Sequence, residues 1–207
     1  MNKYLVELIG AFFLVFVVGM TVIDPGAGAL AALAIGSALM VMVYAGGHIS
    51  GGHYNPAVTL GVWLRGKIQP AEALIYMVVQ VVGAVVASLV VLYLKAGAAP
   101  PTIQHQVVPS LLAEFIGTFA LVYVVLNVAT AKATSGNPYF GLAIGFTLVV
   151  SAFAIGPVSG SAINPAVAVG LSSMGISPWA SIWIYLVADF LGGAAAAGVF
   201  RALHPGE

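Results

Sequence analysis

The sequence predicts an all-α membrane protein, with six transmembrane helices plus two re-entrant half-helices arranged as an inverted internal repeat. Three observations carry this. The 207-residue chain is 61% hydrophobic and only 6% charged, more apolar surface than a water-soluble fold can hide. Six apolar stretches approach the ~20 residues that a helix needs to cross a bilayer. The tripeptide Asn-Pro-Ala occurs twice, at Asn55-Pro56-Ala57 and Asn164-Pro165-Ala166, 109 positions apart.

The six spans read as 5–23, 30–45, 71–94, 110–130, 140–155 and 178–200. The second and fifth are short. Each is followed by a Gly-rich loop (46–54 and 156–163), then Asn-Pro-Ala, then an apolar stretch (57–64 and 166–171) too brief to cross, which is the pattern of a re-entrant half-helix. The order is duplicated: Glu7-Leu8-Ile9-Gly10-Ala11-Phe12 returns as Glu114-Phe115-Ile116-Gly117-Thr118-Phe119, Leu33-Ala34-Ile35-Gly36 as Leu142-Ala143-Ile144-Gly145, and Gly83-Ala84 as Gly192-Gly193. A register kept across so many segments marks a repeat, with the first copy over 1–99 and the second over 100–207.

Three spans per copy is an odd number, so the second copy enters the bilayer upside down. The two Asn-Pro-Ala loops then dip in from opposite faces and meet near the midplane. Of the six basic residues, Lys3, Arg65, Lys67, Lys132 and Arg201 fall on one side and only Lys95 on the other. That asymmetry puts both termini in the cytoplasm of a multi-pass cell-membrane protein. A cleaved leader is the competing reading of the N-terminus, but the apolar run is long for one, carries Glu7, and has a full counterpart in mid-chain. Tyr4, Tyr44, Trp63, Tyr93, Trp179 and Trp183 lie near span ends as interfacial anchors.

Proline is tolerated in the first turn of a helix, where its missing N–H is not needed, so Pro56 and Pro165 place Asn55 and Asn164 at N-caps. An N-cap asparagine turns its side-chain oxygen onto its own helix. Its NH2 then points away, and two such tips facing each other offer two donors backed by two positive helix ends. A lumen of that kind admits neutral solutes and repels cations. Carbonyls of Gly51, Gly52, His53, Ser159 and Gly160 are expected to form an acceptor ladder along it. Glu7 and Glu114 are carboxylates at membrane depth, costly unless paired; loop N–H groups are the nearest partners, which makes both glutamates loop scaffolds.

The run His48-Ile49-Ser50-Gly51-Gly52-His53-Tyr54-Asn55-Pro56-Ala57-Val58-Thr59, together with the two Glu-x-x-Gly-x-Phe helices, resembles the aquaporin (major intrinsic protein) family over essentially the whole chain. The resemblance implies a homotetramer of hourglass monomers, each with its own pore for water and sometimes small uncharged solutes, without cofactor or reaction. Most members continue the second motif with arginine; here Val167 follows Ala166. Matching by distance from the motifs gives Ile35, Ala152, Ser161 and Val167 as the selectivity filter, small and apolar apart from one hydroxyl. It is therefore expected to pass glycerol, urea, hydrogen peroxide or metalloid hydroxides such as arsenous acid, as well as water. The alternatives are a strictly water-selective aquaporin or, from a different class, a secondary transporter.

A secondary transporter also uses inverted repeats, but it needs a titratable or ion-binding midplane site where this chain offers amides and apolar walls. An enzyme would need a nucleophile, base and orienter, and no such set stands out. His48 and His53 lack a third ligand at metal spacing, His105 and His204 read as solvated, and Asp189, matched in the first copy by Gln80, reads as a structural polar contact. The chain has no cysteine and so no thiolate for a mercurial to capture. Water flux through the purified protein in liposomes is expected to be unaffected by mercuric chloride, and thiol-reversible inhibition would contradict this.

Overall fold

The computed structural model describes residues 1–207 and contains eight α-helices and no strands. Six are long: α1 (Asn2–Val22), α2 (Ala31–Ser50), α4 (Pro70–Leu94), α5 (Val107–Ala129), α6 (Phe140–Ser159) and α8 (Ile182–Leu203). At 1.5 Å per residue, their 20–25 residues reach across the ~30 Å hydrocarbon layer, and all six lie in segments apolar enough to do so. Two are short, α3 (Pro56–Leu64) and α7 (Pro165–Ser173), nine residues each. They span less than half that thickness.

The bundle turns its large apolar side chains outward. Leu5, Ile9 and Phe13 on α1, Leu74, Val78 and Val82 on α4, and Leu142, Phe146, Val150 and Phe153 on α6 are exposed at helical spacing, which suits a surface bathed in lipid. Where lipid is as apolar as leucine, helices gain from close van der Waals approach instead, and small residues line their contacts. α1 packs on α2 and α4, α5 on α6 and α8, and α2 on α6. At the α2–α6 crossing, a Cβ added to Gly36 would stand 2.6 Å from the Gly145 carbonyl, and one added to Gly145 would stand 2.6 Å from the Gly36 carbonyl. The half-helices pack across the halves: α3 lies on α8 and α7 on α4.

The basic residues group by end of the bundle. Lys3 pairs with Glu72 at 2.6 Å and Arg65 with Glu207 at 2.7 Å, while the Lys132 ammonium reaches the Gly206 carbonyl. At the other end, Lys95 donates to the Ile23 and Pro25 carbonyls.

Two boundaries differ from the sequence reading. α2 and α6 do not stop near 45 and 155 but run to Ser50 and Ser159, so Gly46, Gly47, Gly156 and Pro157 are helical. Each helix ends on a glycine in the left-handed conformation, Gly51 and Gly160, both at φ 91°. Glycine inside a helix costs about 1 kcal/mol in water, but in a lipid-embedded bundle it opens room for a neighbour: the Tyr54 hydroxyl occupies the space beside Gly46. The non-helical backbone is thereby cut to 51–54 and 160–163 ahead of the two asparagines. Gly36→Val should prevent the α2–α6 approach and sharply lower the yield and melting temperature of the solubilised protein. Gly198→Ala, where an added methyl meets nothing within 4 Å, should stay within about 0.5 kcal/mol of wild type.

Candidate permeation site

The two short loops are held by one carboxylate each. Glu7, fully buried on α1, accepts from the backbone N–H groups of His53 (2.9 Å) and Tyr54 (2.7 Å), from the Ser50 hydroxyl (2.6 Å) and from Gln80 Nε2 (2.8 Å). Glu114, in the same position on α5, accepts from Ala162 N–H (3.1 Å), Ile163 N–H (2.7 Å) and the Ser159 hydroxyl. Each serine oxygen in turn accepts from the loop, Ser50 from Gly52 N–H and Ser159 from Ser161 N–H. The fastening holds a contorted backbone: Tyr54, Ser161 and Ile163 have φ of 49°, 51° and 39°. Side chains rarely adopt that region, least of all a β-branched one, and such residues persist only where their surroundings over-determine them.

Asn55 caps α3 with Oδ1, accepting from Ala57 N–H at 2.8 Å and Val58 N–H at 3.4 Å; Asn164 caps α7 on Ala166 N–H at 2.9 Å and Val167 N–H at 3.4 Å. The side-chain amides then cross. Asn55 Nδ2 donates to the Ile163 carbonyl (2.9 Å) and Asn164 Nδ2 to the Tyr54 carbonyl (3.0 Å), so each tip is bonded to the residue preceding the other asparagine. An amide nitrogen carries two hydrogens; one of each pair is spent on this cross-link and one remains.

A cavity of about 310 Å³ runs past both asparagines. Ile35, Ala152, Ser161 and Val167 all line it, as do Gly52, His53 and Gly160. Its remaining wall is mostly apolar, with Leu14, Leu39, Val58, Leu121 and Leu148 among the contributors. Ser161 Oγ has no protein partner. At the end nearer Lys67, His53 and Val125 also border a second space of about 250 Å³ that is more polar, with Lys67, Glu72 and Thr130 on its wall.

Two expected carbonyl positions lie elsewhere. Gly51 borders that second space and is not on the wall of the cavity past the asparagines. Ser159 is fully buried as the last residue of α6, and its carbonyl accepts from the Tyr185 hydroxyl at 2.7 Å; the helix runs one turn further than its glycines suggested, and the hydroxyl, not the carbonyl, serves the loop. Tyr76 makes the matching bond to the Ser50 carbonyl at 2.8 Å. Ser50/Ser159 and Tyr76/Tyr185 keep the 109-residue offset of the motifs, a signal in the sequence that would have paired them.

Two other readings change. His105 is not merely solvated: its Nε2 lies 2.9 Å from Ser177 Oγ and 3.4 Å from the Tyr185 hydroxyl, and partial burial holds its imidazole below the usual histidine range. His204 stacks on Phe200 at 4.2 Å and contacts its carbonyl through Nδ1. Asp189 is completely buried on α8, where Thr118 donates to Oδ1 at 3.0 Å while Oδ2 has no donor.

Replacing Glu114 with leucine would strip acceptors from two backbone N–H groups and a serine hydroxyl at membrane depth, at about 1–3 kcal/mol for each group left unpaired. Glu114→Leu should therefore melt well below wild type in detergent. A variant of unchanged stability would mean that the loop stands without the carboxylate.

The family model described as "Major intrinsic protein" matches residues 1–200. Aquaporin NIP1-4 of Oryza sativa subsp. japonica is 37% identical over 99% of this chain and 77% of its own length. A glycerol uptake facilitator protein-like 6 of Lactiplantibacillus plantarum is 36% identical over 98% of both, and Aquaporin Z of Rhodopseudomonas palustris is 32% identical over 99% of this chain and 94% of its own. The crystal structure of the aquaglyceroporin from Plasmodium falciparum shares the fold at a TM-score of 0.82 and 20% identity, over 98% of this chain and 96% of that one. Six spanning helices, two half-helices joined tip to tip by asparagines, and these likenesses lead to one conclusion: the chain is a multi-pass membrane protein of the major intrinsic protein family, the channels that comprise the aquaporins and their glycerol-facilitating relatives.

Proposed function

We propose that this chain is a passive pore for water and small uncharged solutes, with a filter relaxed by the loss of arginine. The observation that carries the reading is the lining of the cavity past the asparagines: Ile35, Ala152, Ser161 and Val167 stand on one wall system with Asn55 and Asn164, and no lysine or arginine lines it. The unspent hydrogens of the two asparagine amides and the unpartnered Ser161 hydroxyl are the polar groups a solute oxygen would meet. Apart from His53 and the loop backbone, the other lining side chains are hydrocarbon, which suits compact neutral molecules such as glycerol, urea, hydrogen peroxide or undissociated arsenous acid.

Cations are disfavoured by the positive ends of α3 and α7. Protons, deprived of one barrier by the missing arginine, still meet those two helix ends. In this reading 1–99 and 100–207 are the inverted copies, Glu7 and Glu114 are their loop scaffolds, and the carbonyls of Gly52, His53 and Gly160 are the acceptors along the path. The end bearing Lys3, Arg65, Lys67, Lys132 and Arg201 faces the cytoplasm of the cell membrane. By family resemblance four copies assemble, each with its own pore.

Stopped-flow swelling of proteoliposomes across neutral solutes of rising size tests the reading. Wild type should pass water and at least the smaller polyols and metalloid acids. Val167→Arg, which fills the cavity wall and adds a fixed charge, should cut solute flux much more than water flux. Fast water flux with exclusion of glycerol, urea and metalloid acids by wild type would favour the strictly water-selective alternative.

A further inference from the structure

The two halves fasten their loops alike except around one position. In the first half, Gln80 Nε2 donates to Glu7 at 2.8 Å and to Thr59 Oγ1 at 3.0 Å, so a neutral amide supplies a hydrogen to the loop-holding carboxylate. The equivalent residue of the second half, 109 positions on, is Asp189. It is completely buried on α8 against Thr118, one turn along α5 from Glu114, and the repeat sets it beside Glu114 as Gln80 is set beside Glu7. Its Oδ1 is taken by Thr118, and its buried Oδ2 has no donor.

Two carboxyl groups set side by side can hydrogen-bond to each other only with a proton between them. The surroundings give no other way to offset two charges. α8 packs on α3, α5 and α7; α3 and α7 carry no titratable side chain, α5 brings Glu114 and, more than two turns further on, Tyr123, and α8 brings Tyr185, whose hydroxyl is spent on the Ser159 carbonyl. His105 touches that tyrosine at 3.4 Å but not Asp189. The one basic residue on these four helices is Arg201, more than three turns from Asp189 along α8 and about 18 Å away. Adjacent carboxyl groups in a site of low dielectric do not both ionise.

We propose that Asp189 is a positioning residue for the second pore loop, acting as a carboxylic acid that shares one proton with Glu114 and so takes the place that the Gln80 amide holds in the first half. With the proton in place, Glu114 keeps its Ala162 and Ile163 amides, and the loop holds Asn164, the tip that bonds to the Tyr54 carbonyl. When the proton leaves for bulk solvent, two neighbouring negative charges repel, α8 and the loop part, and the Asn164 tip loses its alignment. The second loop is thereby sensitive to alkaline pH, and the first is not.

The transport half of this inference rests on the pore reading above; the proton itself does not. The test compares wild type with Asp189→Asn, whose amide mimics the protonated acid without being able to ionise. Infrared spectroscopy of the detergent-solubilised protein at neutral pH should show the C=O stretch of a protonated, buried carboxyl in wild type and not in the variant. Absence of that band from wild type overturns the shared proton. In proteoliposomes, water permeability of wild type should fall several-fold from mildly acidic to alkaline pH, while the ratio stays near one in Asp189→Asn. Equal pH profiles in the two proteins overturn the positioning role. Loss of flux on the acid side, carried by His105, would appear in both proteins and is thereby separated. No water flux from either protein at any pH would mean that the pore reading has failed, and the infrared band would still decide the proton.

Discussion

Backbone in the middle of a bilayer has no water to bond to, and everything distinctive in this molecule follows from satisfying two short stretches of it. Residues 51–54 and 160–163 leave the helical path at membrane depth. Their N–H groups find acceptors in Glu7 and Glu114, which are themselves tolerable there only because they are saturated with donors. Carboxylate and loop each remove the other's cost. That mutual dependence explains why the glutamates stand on α1 and α5, the first helix of each half, and why left-handed backbone at Tyr54 and Ile163 persists.

The second constraint is the meeting of the loop tips. Because Asn55 bonds to the Ile163 carbonyl and Asn164 to the Tyr54 carbonyl, neither tip is complete without the opposite loop. Packing repeats the exchange, with α3 resting on α8 and α7 on α4. The halves are interlocked, not merely adjacent, and a shift of one tip moves the acceptor of the other. Under the proton sharing proposed above, this is how a difference as remote from the cavity as Asp189 in place of Gln80 reaches the opposite loop: it alters what stands beside Glu114 without touching the lining.

A regular repeat makes much of this visible in one dimension. The six spans, the half-helices, the N-cap role of both asparagines and the pairing of Glu7 and Glu114 with nearby loop amides follow from residue type and spacing, because apolar length, proline at N1 and an isolated carboxylate at membrane depth each leave few options. The helix ends at Ser50 and Ser159 were not legible. Gly46, Gly47, Gly156 and Pro157 look like breakers in isolation, and only the side chains that settle against them, as Tyr54 does at Gly46, explain their helical state. For the same reason Ser159 was read for its carbonyl when its hydroxyl does the bonding.

The sequence by itself determined the membrane, the helix count, the inverted duplication and the apolar character of Ile35, Ala152 and Val167 on the cavity wall, since these depend on hydrophobic length, residue type and repeat offset. Tertiary structure decided where each remaining hydrogen goes: the second amide hydrogen of each asparagine, the Tyr76 and Tyr185 hydroxyls, the His105 ring and the unpartnered oxygen of Asp189. These are contacts between residues 26 to 110 positions apart. Their partners are selected by how helices cross and how closely glycines let them approach, and that geometry exists only once the two halves have packed.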